Sequence, residues 1–297
     1  KKIKKIRHDL AKFNCDAHFI CSLDAIAWTL NLRGRDIDYN PLFYSYLLIT
    51  HESVTLFVDK EQVTESVNTY LQDLDIIVQP YEAAAETLNL QKTRILLDPN
   101  QTSFWVEQQL TNADIIHHTS PITLAKAIKN TTEQDNMQEA HRRDALSVIK
   151  FMHWLDENWE GQTELSLIDK LLMFRQQDPH FKQPSFETIC GFASNGAIIH
   201  YRANERSNKA IGDGDLLLID SGGQYDQGTT DITRTFHLGE PQPDHITHYT
   251  LVLKGHLALS HNCFPAGTCG EHISILATQP LWQAHLNCAH GIGHGVG

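Results

Sequence analysis

One segment, from Leu216 to Leu238, restricts the possible folds of this chain more than any other. It contains an apolar run, a glycine-bearing turn and a second run in which apolar and polar residues alternate, the pattern of a β-hairpin. Asp220 and Asp231 stand at the inner ends of the two runs. Because alternate residues of a strand point to one face, Asp220 shares a face with Leu218, and the two carboxylates are expected to converge.

A glycine-rich segment near the end of the chain adds two imidazoles. It reads His290-Gly-Ile-Gly-His294-Gly-Val-Gly297, and its four glycines disfavour a helix. It also lacks the glutamate that follows the first histidine in helical zinc-protease motifs. Glycine permits close approach of the backbone to a ligand, so we interpret the segment as a loop at a binding site. A plain turn is the alternative interpretation.

Carboxylates and an imidazole together form a mixed donor set that suits divalent Mn, Co or Zn. Taken singly, each aspartate has an ordinary explanation. Asp220 can start a turn before Ser-Gly-Gly, and Asp231 can be a solvated strand position. Their combination on one hairpin with the later His294 favours a metal site.

Several segments resemble the "pita-bread" metallopeptidases, and most closely the aminopeptidase P group of large three-domain enzymes. The resemblance is carried by the hairpin, by the glycine-rich loop and by Gly196-Ala-Ile-Ile-His200-Tyr201. It extends to a stretch that such enzymes have in the domain before the catalytic one, Leu23-Asp-Ala-Ile-Ala-Trp28 through Asn40-Pro41. Nearly the whole chain is therefore covered.

The resemblance implies a dinuclear site made of two Asp, one His and two Glu. It implies that Asp220 chelates one metal, that Asp231 bridges both and that His294 binds the other. The two divalent ions are expected to be Mn, with Zn or Co possible. His290 is expected to stabilise the oxyanion of the substrate, and His200 to line the substrate side near the proline. The implied reaction is hydrolytic release of the N-terminal residue from peptides with proline in second position.

In the family order, both glutamate ligands follow the glycine-rich loop, and another domain precedes the region that matches residue 1. We therefore expect the chain to be an internal piece of a longer protein. The expected fold class is α/β (α+β): a creatinase-like non-catalytic domain over residues 1–125, then the first part of a pita-bread catalytic domain over residues 126–297.

The composition of the chain restricts the kinds of partner and the cellular location that are expected. Lys and Arg number 24 against 36 Asp and Glu, and this net charge of −12 argues against nucleic acid as the main partner. No run approaches the ~18 apolar residues of a membrane span. The six cysteines lack CxxC spacing, so reduced thiols and a cytoplasmic location are expected. Peptide substrates are the expected partners, and a homodimer of the intact protein is possible by resemblance.

Local patterns predict the order of elements. Helices are expected at about 2–13 and 25–30, strands at 17–21, 44–49, 54–58 and 94–97, and a helix at 165–177. Thr131-x-x-Gln134 resembles a capping box before a long helix. The predicted apolar stripe of that helix is Met137, Ala140, Ala145, Val148, Ile149, Met152 and Leu155.

Two rival functions stay open at this stage. A prolidase of the same fold has the same metal ligands but takes Xaa-Pro dipeptides, so a tripeptide Xaa-Pro-Yaa separates the two activities. A non-catalytic pita-bread module that binds peptides is the other alternative. Intact Asp220, Asp231 and His294 argue against such a module.

Overall fold

A computed structural model of the chain describes residues 1–89 and 92–295. The chain forms two compact units, Lys1–Gln134 and Asp135–Gly297. The sequence places the division after residue 125, whereas in the structure it falls after Gln134, inside the first turns of a long helix.

The first unit is built on a six-stranded mixed sheet with strand order β4-β3-β2-β1-β5-β6. β1 pairs antiparallel with β2 and parallel with β5, so it lies in the interior of the sheet. All four of its residues are buried, as expected for a strand covered on both faces. The strands are β1 (Ala17–Ile20), β2 (Ser45–Thr50), β3 (Val54–Val58), β4 (Ile76–Pro80), β5 (Arg94–Leu97) and β6 (Asp114–His117).

Helices cover both faces of this sheet, because alternate strand residues point to opposite sides. Leu47 and Ile49 pack into one apolar cluster with residues of α1, α2, α3 and α6, whereas Leu48 packs into a second cluster with residues of α4 and α5. The unit therefore has three layers, as predicted for an α/β domain. The helices are α1 (Lys2–Lys12), α2 (Leu23–Leu30), α3 (Glu65–Asp73), α4 (Ala83–Asn89), α5 (Phe104–Gln109) and α6 (Pro121–Ala127).

A buried histidine ties the sheet of the first unit to the start of α6. His18 on β1 is 1% exposed, and its Nδ1 lies 3.0 Å from the Leu96 carbonyl oxygen. Its Nε2 lies 2.8 Å from Ser120 Oγ, and the Ser120 backbone N–H donates to the buried Asp98. A carbonyl only accepts, so Nδ1 carries the proton and the neutral ring is fully hydrogen-bonded. Burial lowers the pKa of His18 from 6.5 to about 4.

The long helix α7 spans Thr131–Asn158. The predicted capping box at Thr131 and Gln134 is wrong by one residue. The Asn130 side chain accepts from the Glu133 backbone N–H at 3.0 Å, and the Glu133 carboxylate accepts from the Asn130 N–H at 2.9 Å. Asparagine is at least as good an N-cap as threonine, and here it takes the position.

The buried face of α7 also differs from the predicted apolar stripe. Ile149 is 58% exposed, whereas the charged Asp144 is fully buried. The buried positions follow a helical spacing that leaves Ile149 on the opposite side. They are Ala140, Asp144, Ser147, Val148, Phe151 and Leu155.

The second unit places α7 and α8 (Glu164–Arg175) against a three-stranded antiparallel sheet with order β11-β9-β8. Leu217 and Ile219 of β9 join Phe151 of α7 and Leu171 of α8 in one apolar core. Each such buried side chain contributes about 1.5–3 kcal/mol. The strands are β7 (Phe181–Pro184), β8 (Ile189–Phe192), β9 (Asp215–Ser221), β10 (Gly223–Tyr225) and β11 (Ile232–Leu238).

Short β7 and β10 pair separately. Within the described residues, which end at 295, β11 is followed by α9 (Pro243–Ser260), α10 (Gly270–Ile273) and α11 (Ile275–Gln283). Among the residues that the structure describes, no helix combines the length and the apolar character needed to cross a membrane.

Candidate metal centre

The predicted hairpin is confirmed, and its register places Asp220. β9 and β11 pair antiparallel with Thr233 directly opposite Asp220, so both residues lie on one face of the sheet. Thr233 Oγ1 donates to Asp220 Oδ1 at 2.8 Å. The neighbouring residue Ile219 points to the other face and is 5% exposed. The apolar face of β9 therefore fixes the strand, while the half-buried Asp220 is presented on the opposite side.

Asp231 and His294 lie together. Asp231 directly precedes β11, and its Oδ2 is 3.3 Å from His294 Nε2. His294 Nδ1 lies 2.9 Å from the Gly295 carbonyl oxygen. Since a carbonyl accepts only, Nδ1 donates, and in the neutral ring Nε2 offers its lone pair towards Asp231. Two acceptors that face each other at this distance require a proton or a cation between them.

Electrostatics connect Asp220 to the same group of side chains. Burial raises the pKa of the Asp220 carboxyl above its ordinary value, and the neighbouring Asp231 carboxylate adds to the rise. The Thr233 hydroxyl and the His200 and His294 imidazoles act in the opposite direction. A half-buried carboxylate next to a second carboxylate is less stable as an anion, and a nearby cation relieves this repulsion.

The donor set fits a divalent metal ion. Two ligands, each about 2.1 Å from one ion at a tetrahedral angle, lie about 3.4 Å apart, close to the separation of Asp231 Oδ2 and His294 Nε2. Within residues 1–89 and 92–295, no three side chains of the His, Cys, Asp and Glu types are arranged to hold one ion together. The structure thus brings Asp231 and His294 into contact, with Asp220 within electrostatic range of both.

His200 lies on an exposed loop and is not a core residue. It follows Ile198 and Ile199, each about half exposed (53% and 51%), and precedes the buried Tyr201. Its φ of 55° lies in the left-handed region, which costs a non-glycine residue roughly 1–2 kcal/mol. Such a conformation persists only where the surrounding structure enforces it.

A buried carboxylate enforces the conformation of that loop. Glu164, at the start of α8, is fully buried and accepts from the Tyr201 hydroxyl at 2.8 Å and from the Asn195 amide at 3.0 Å. The backbone N–H groups of Phe192 and Lys209 donate to it at 2.8 and 3.0 Å. Sequence reasoning missed Glu164, because an acidic residue in the first turn of a helix is usually explained by the helix dipole.

His290 is exposed, and its Nδ1 lies 2.8 Å from the Gly291 carbonyl oxygen, which leaves Nε2 free to face a ligand. Val296 and Gly297, the end of the predicted glycine-rich loop, lie outside the described residues. The predicted roles of His200, His290, Asp220, Asp231 and His294 stay predictions.

A buried ion pair lies beneath the hairpin. Arg175 at the end of α8 donates from Nε and Nη2 to the two oxygens of Asp144 on α7, at 2.7 and 3.1 Å. Arg175 is 1% exposed and Asp144 is fully buried. Sequence reasoning missed this pair too. Its signal is a charged residue on the apolar face of each of two consecutive helices.

Glycine is required where the chain leaves β9. A Cβ atom at Gly222 would lie 2.0 Å from the Thr230 carbonyl oxygen and 2.2 Å from Ser185 Oγ. The Thr230 backbone and the Ser185 side chain approach this position so closely that no other residue fits.

The fold, the two hairpin aspartates and the nearby His294 define a metallopeptidase-type chain. A creatinase-like domain precedes the metallopeptidase part in the sequence. Residues 135–297, more than half of the chain, match the model of metallopeptidase family M24, and residues 1–133 match the creatinase/prolidase N-terminal domain. The chain belongs to metallopeptidase family M24. The predicted family and fold class are confirmed.

Individual relatives agree with this assignment. The whole chain is 41% identical to part of Xaa-Pro aminopeptidase 1 of Dictyostelium discoideum, covering 48% of that protein. It also matches a crystal structure of X-prolyl aminopeptidase from Caenorhabditis elegans, described as a cytosolic enzyme with a dinuclear active site. That match has a TM-score of 0.94 and 32% identity, and it covers 100% of this chain and 50% of that one.

A prolidase structure from Pyrococcus horikoshii shares the fold, with a TM-score of 0.79, 23% identity, and coverage of 100% of this chain and 82% of that one. The chain spans about half the length of the Xaa-Pro aminopeptidases that it matches.

Proposed function

We propose that the natural protein that contains these 297 residues is a metal-dependent Xaa-Pro aminopeptidase. It would release the N-terminal residue from peptides whose second residue is proline. The observation that carries the proposal is the contact between Asp231 and His294, 3.3 Å apart and within electrostatic range of Asp220. Identity of 41% with an Xaa-Pro aminopeptidase along the whole chain supports the substrate class.

Asp220, Asp231 and His294 would hold the divalent ions. When bound, these ions would supply a hydroxide nucleophile near neutral pH. Manganese is the expected metal, and zinc or cobalt suits the same mixed donor set. The dinuclear site of the nematode enzyme supports two ions in this protein as well.

The two exposed imidazoles would act on the substrate. His290, with Nδ1 donating to its own loop, presents Nε2 outward; when protonated, this atom can donate to the carbonyl oxygen of the scissile bond. His200 is held in a left-handed conformation next to the buried Tyr201, so its ring is directed by the loop and not by core packing. We place it on the substrate side, near the proline.

Proline explains why a dedicated enzyme is needed. An X-Pro bond lacks an N–H donor, and the ring fixes φ near −65°, so a site that recognises an ordinary peptide bond binds it poorly.

All five proposed site residues lie in residues 135–297. We assign the first unit no catalytic residue. A cytoplasmic location and a homodimer remain parts of this proposal, the former supported by the cytosolic description of the nematode relative.

The test uses the natural protein, stripped of metal by a chelator and reloaded with Mn²⁺, Zn²⁺ or Co²⁺. We expect Mn²⁺ to restore release of the N-terminal residue from Xaa-Pro-Yaa tripeptides, with little activity on Xaa-Ala-Yaa. Faster cleavage of Xaa-Pro dipeptides than of tripeptides would make the protein a prolidase. Absence of hydrolysis with every metal, while peptides still bind, would make it a binding module.

A further inference from the structure

We propose that the buried Asp144–Arg175 pair is a positioning device that sets the separation of Asp220 and Asp231. The inference rests on the proposed function, because it assigns those two aspartates to the metals. Neither Asp144 nor Arg175 touches the site. Each acts through a hydroxyl residue that is the immediate chain neighbour of one proposed ligand.

The first arm of the device reaches Asp220. Arg175 Nη2 donates to Ser221 Oγ at 3.0 Å, and Ser221 directly follows Asp220 in β9. Ser221 is 2% exposed and points to the core face, opposite to Asp220. A shift of Ser221 therefore moves the Asp220 carboxylate with it, on the other side of the strand.

The second arm reaches Asp231. Thr230 Oγ1 donates to Asp144 Oδ2 at 2.7 Å, and Thr230 directly precedes Asp231. The same Thr230 oxygen accepts from the Gly223 backbone N–H at 2.9 Å. Thr230 is fully buried, so this hydroxyl has no water to replace either partner.

Each carboxylate oxygen of Asp144 accepts two hydrogen bonds. Its Oδ1 accepts from Arg175 Nε at 2.7 Å and from the Tyr225 hydroxyl at 2.9 Å, and its Oδ2 accepts from Arg175 Nη2 and Thr230. Charge-assisted hydrogen bonds of this kind are shorter and more directional than neutral ones. One buried carboxylate thus connects the two helices to both inner ends of the hairpin.

The β-ladder fixes Asp220, which pairs with Thr233, but it does not extend to Asp231. The last paired residues of β9 and β11 are Ser221 and Ile232, so Asp231 lies one residue beyond the ladder. The strand that follows β9 in the chain, β10, pairs with β7 and not with β11. On the turn side of Asp231, the Thr230 backbone N–H donates to the Gly223 carbonyl oxygen at 2.9 Å, and the Thr230 hydroxyl adds the contact with Asp144. Metal ligands must be held within about 0.5 Å of their working geometry, so we assign this added contact to the positioning of Asp231.

The decisive variant is Thr230→Val, which has nearly the same shape as threonine but no hydroxyl. Residues that hold metal ligands in place typically change metal affinity 10–100-fold when altered. We expect Thr230→Val to raise the Kd for Mn²⁺ by about 10–100-fold in the metal-stripped natural protein, measured by calorimetry. Thr230→Ser keeps the hydroxyl and should restore a Kd close to that of the wild type.

Ser147→Ala is the matched control. Ser147 is also buried on α7, and its hydroxyl bonds the Phe174 carbonyl of α8 at 3.4 Å without touching the hairpin. It should lower the Tm of the metal-free protein by less than Thr230→Val does, because it removes one long neutral hydrogen bond, and it should leave the Kd for Mn²⁺ unchanged. Ser221→Ala tests the other arm, should Thr230→Val fail to fold, and is expected to weaken Mn²⁺ binding in the same way.

Two outcomes separate this inference from the proposed function. If the wild-type protein binds none of Mn²⁺, Zn²⁺ and Co²⁺, the proposed function is wrong. If the wild type binds Mn²⁺ normally and Thr230→Val or Ser221→Ala binds it equally well, or Ser147→Ala weakens binding as much, only the positioning role is wrong.

Discussion

The buried His18 should make the first unit less stable in mild acid. Its pKa is lowered from 6.5 to about 4, because burial disfavours the charged ring, although the hydrogen bond to the Leu96 carbonyl and the nearby Asp98 act in the opposite direction. Above pH 6.5 the ring is neutral in both the folded and the unfolded chain. As the pH falls from 6.5 towards 4, the unfolded chain takes up a proton that the folded unit resists, so stability is lost across this range.

The size of the loss follows from the two pKa values. With 6.5 in the unfolded chain and about 4 in the folded unit, proton linkage removes about 2 kcal/mol between pH 8 and pH 5. This free energy corresponds to roughly a 30-fold increase in the opening equilibrium, since 1.4 kcal/mol is tenfold.

Hydrogen exchange measures this opening in the first unit alone. We would compare the wild type with His18→Gln in peptides that cover β1 and β5, at pH 8 and at pH 5. Other titrating groups and the intrinsic exchange rate are common to both proteins and cancel in the ratio of protection factors. That ratio, wild type over variant, should fall about 30-fold from pH 8 to pH 5. A ratio independent of pH would refute the reasoning.

Three further predictions concern the second unit. His290→Ala should keep bound Mn²⁺ but lower kcat on the order of 10²-fold, whereas His294→Ala should lose Mn²⁺; the reverse pattern by elemental analysis and kinetics would exchange the two roles. Gly222→Ala should lower both the Tm and the Mn²⁺ affinity, because its Cβ would clash at 2.0 Å, and Gly270→Ala, with open space around it, should change neither. Glu164→Gln should cost about 1–3 kcal/mol in thermal unfolding, since an amide N–H would face buried donors; an unchanged Tm would contradict this.

The hairpin was predictable because its signal is local. Period-two alternation and a glycine turn predict two strands, and the structure pairs them with Thr233 opposite Asp220, on one face as expected. The two helices and four strands predicted for the first unit follow in the same way, from apolar runs that end at turn residues, and they correspond to α1, α2, β1, β2, β3 and β5. Here local propensity and tertiary packing favour the same structure.

The buried charges were not predictable from such signals. Asp144 interrupts the apolar face of α7, and its partner Arg175 lies 31 residues away on another helix. A single charged residue within an apolar stripe does not predict a buried ion pair until its partner is known. The shift of the capping box from Thr131 to Asn130 is smaller in scale but similar in kind, because two adjacent residues can both cap and the geometry of the entering chain decides between them.

The proposed metal centre is tested most directly by measuring metal content and turnover together on Asp231→Asn in the natural protein. The bridging role predicted for Asp231 requires a carboxylate, which an amide would not replace. We therefore expect loss of bound Mn²⁺ by elemental analysis and loss of N-terminal residue release from Xaa-Pro-Yaa peptides, with the fold retained. Asp226→Asn is the control, because Asp226 lies in the same hairpin but bonds Lys182 at 2.7 Å, and it should retain both metal and activity. Full turnover and full metal content in Asp231→Asn would show that Asp231 does not bridge the metals and that the centre proposed for this hairpin is wrong.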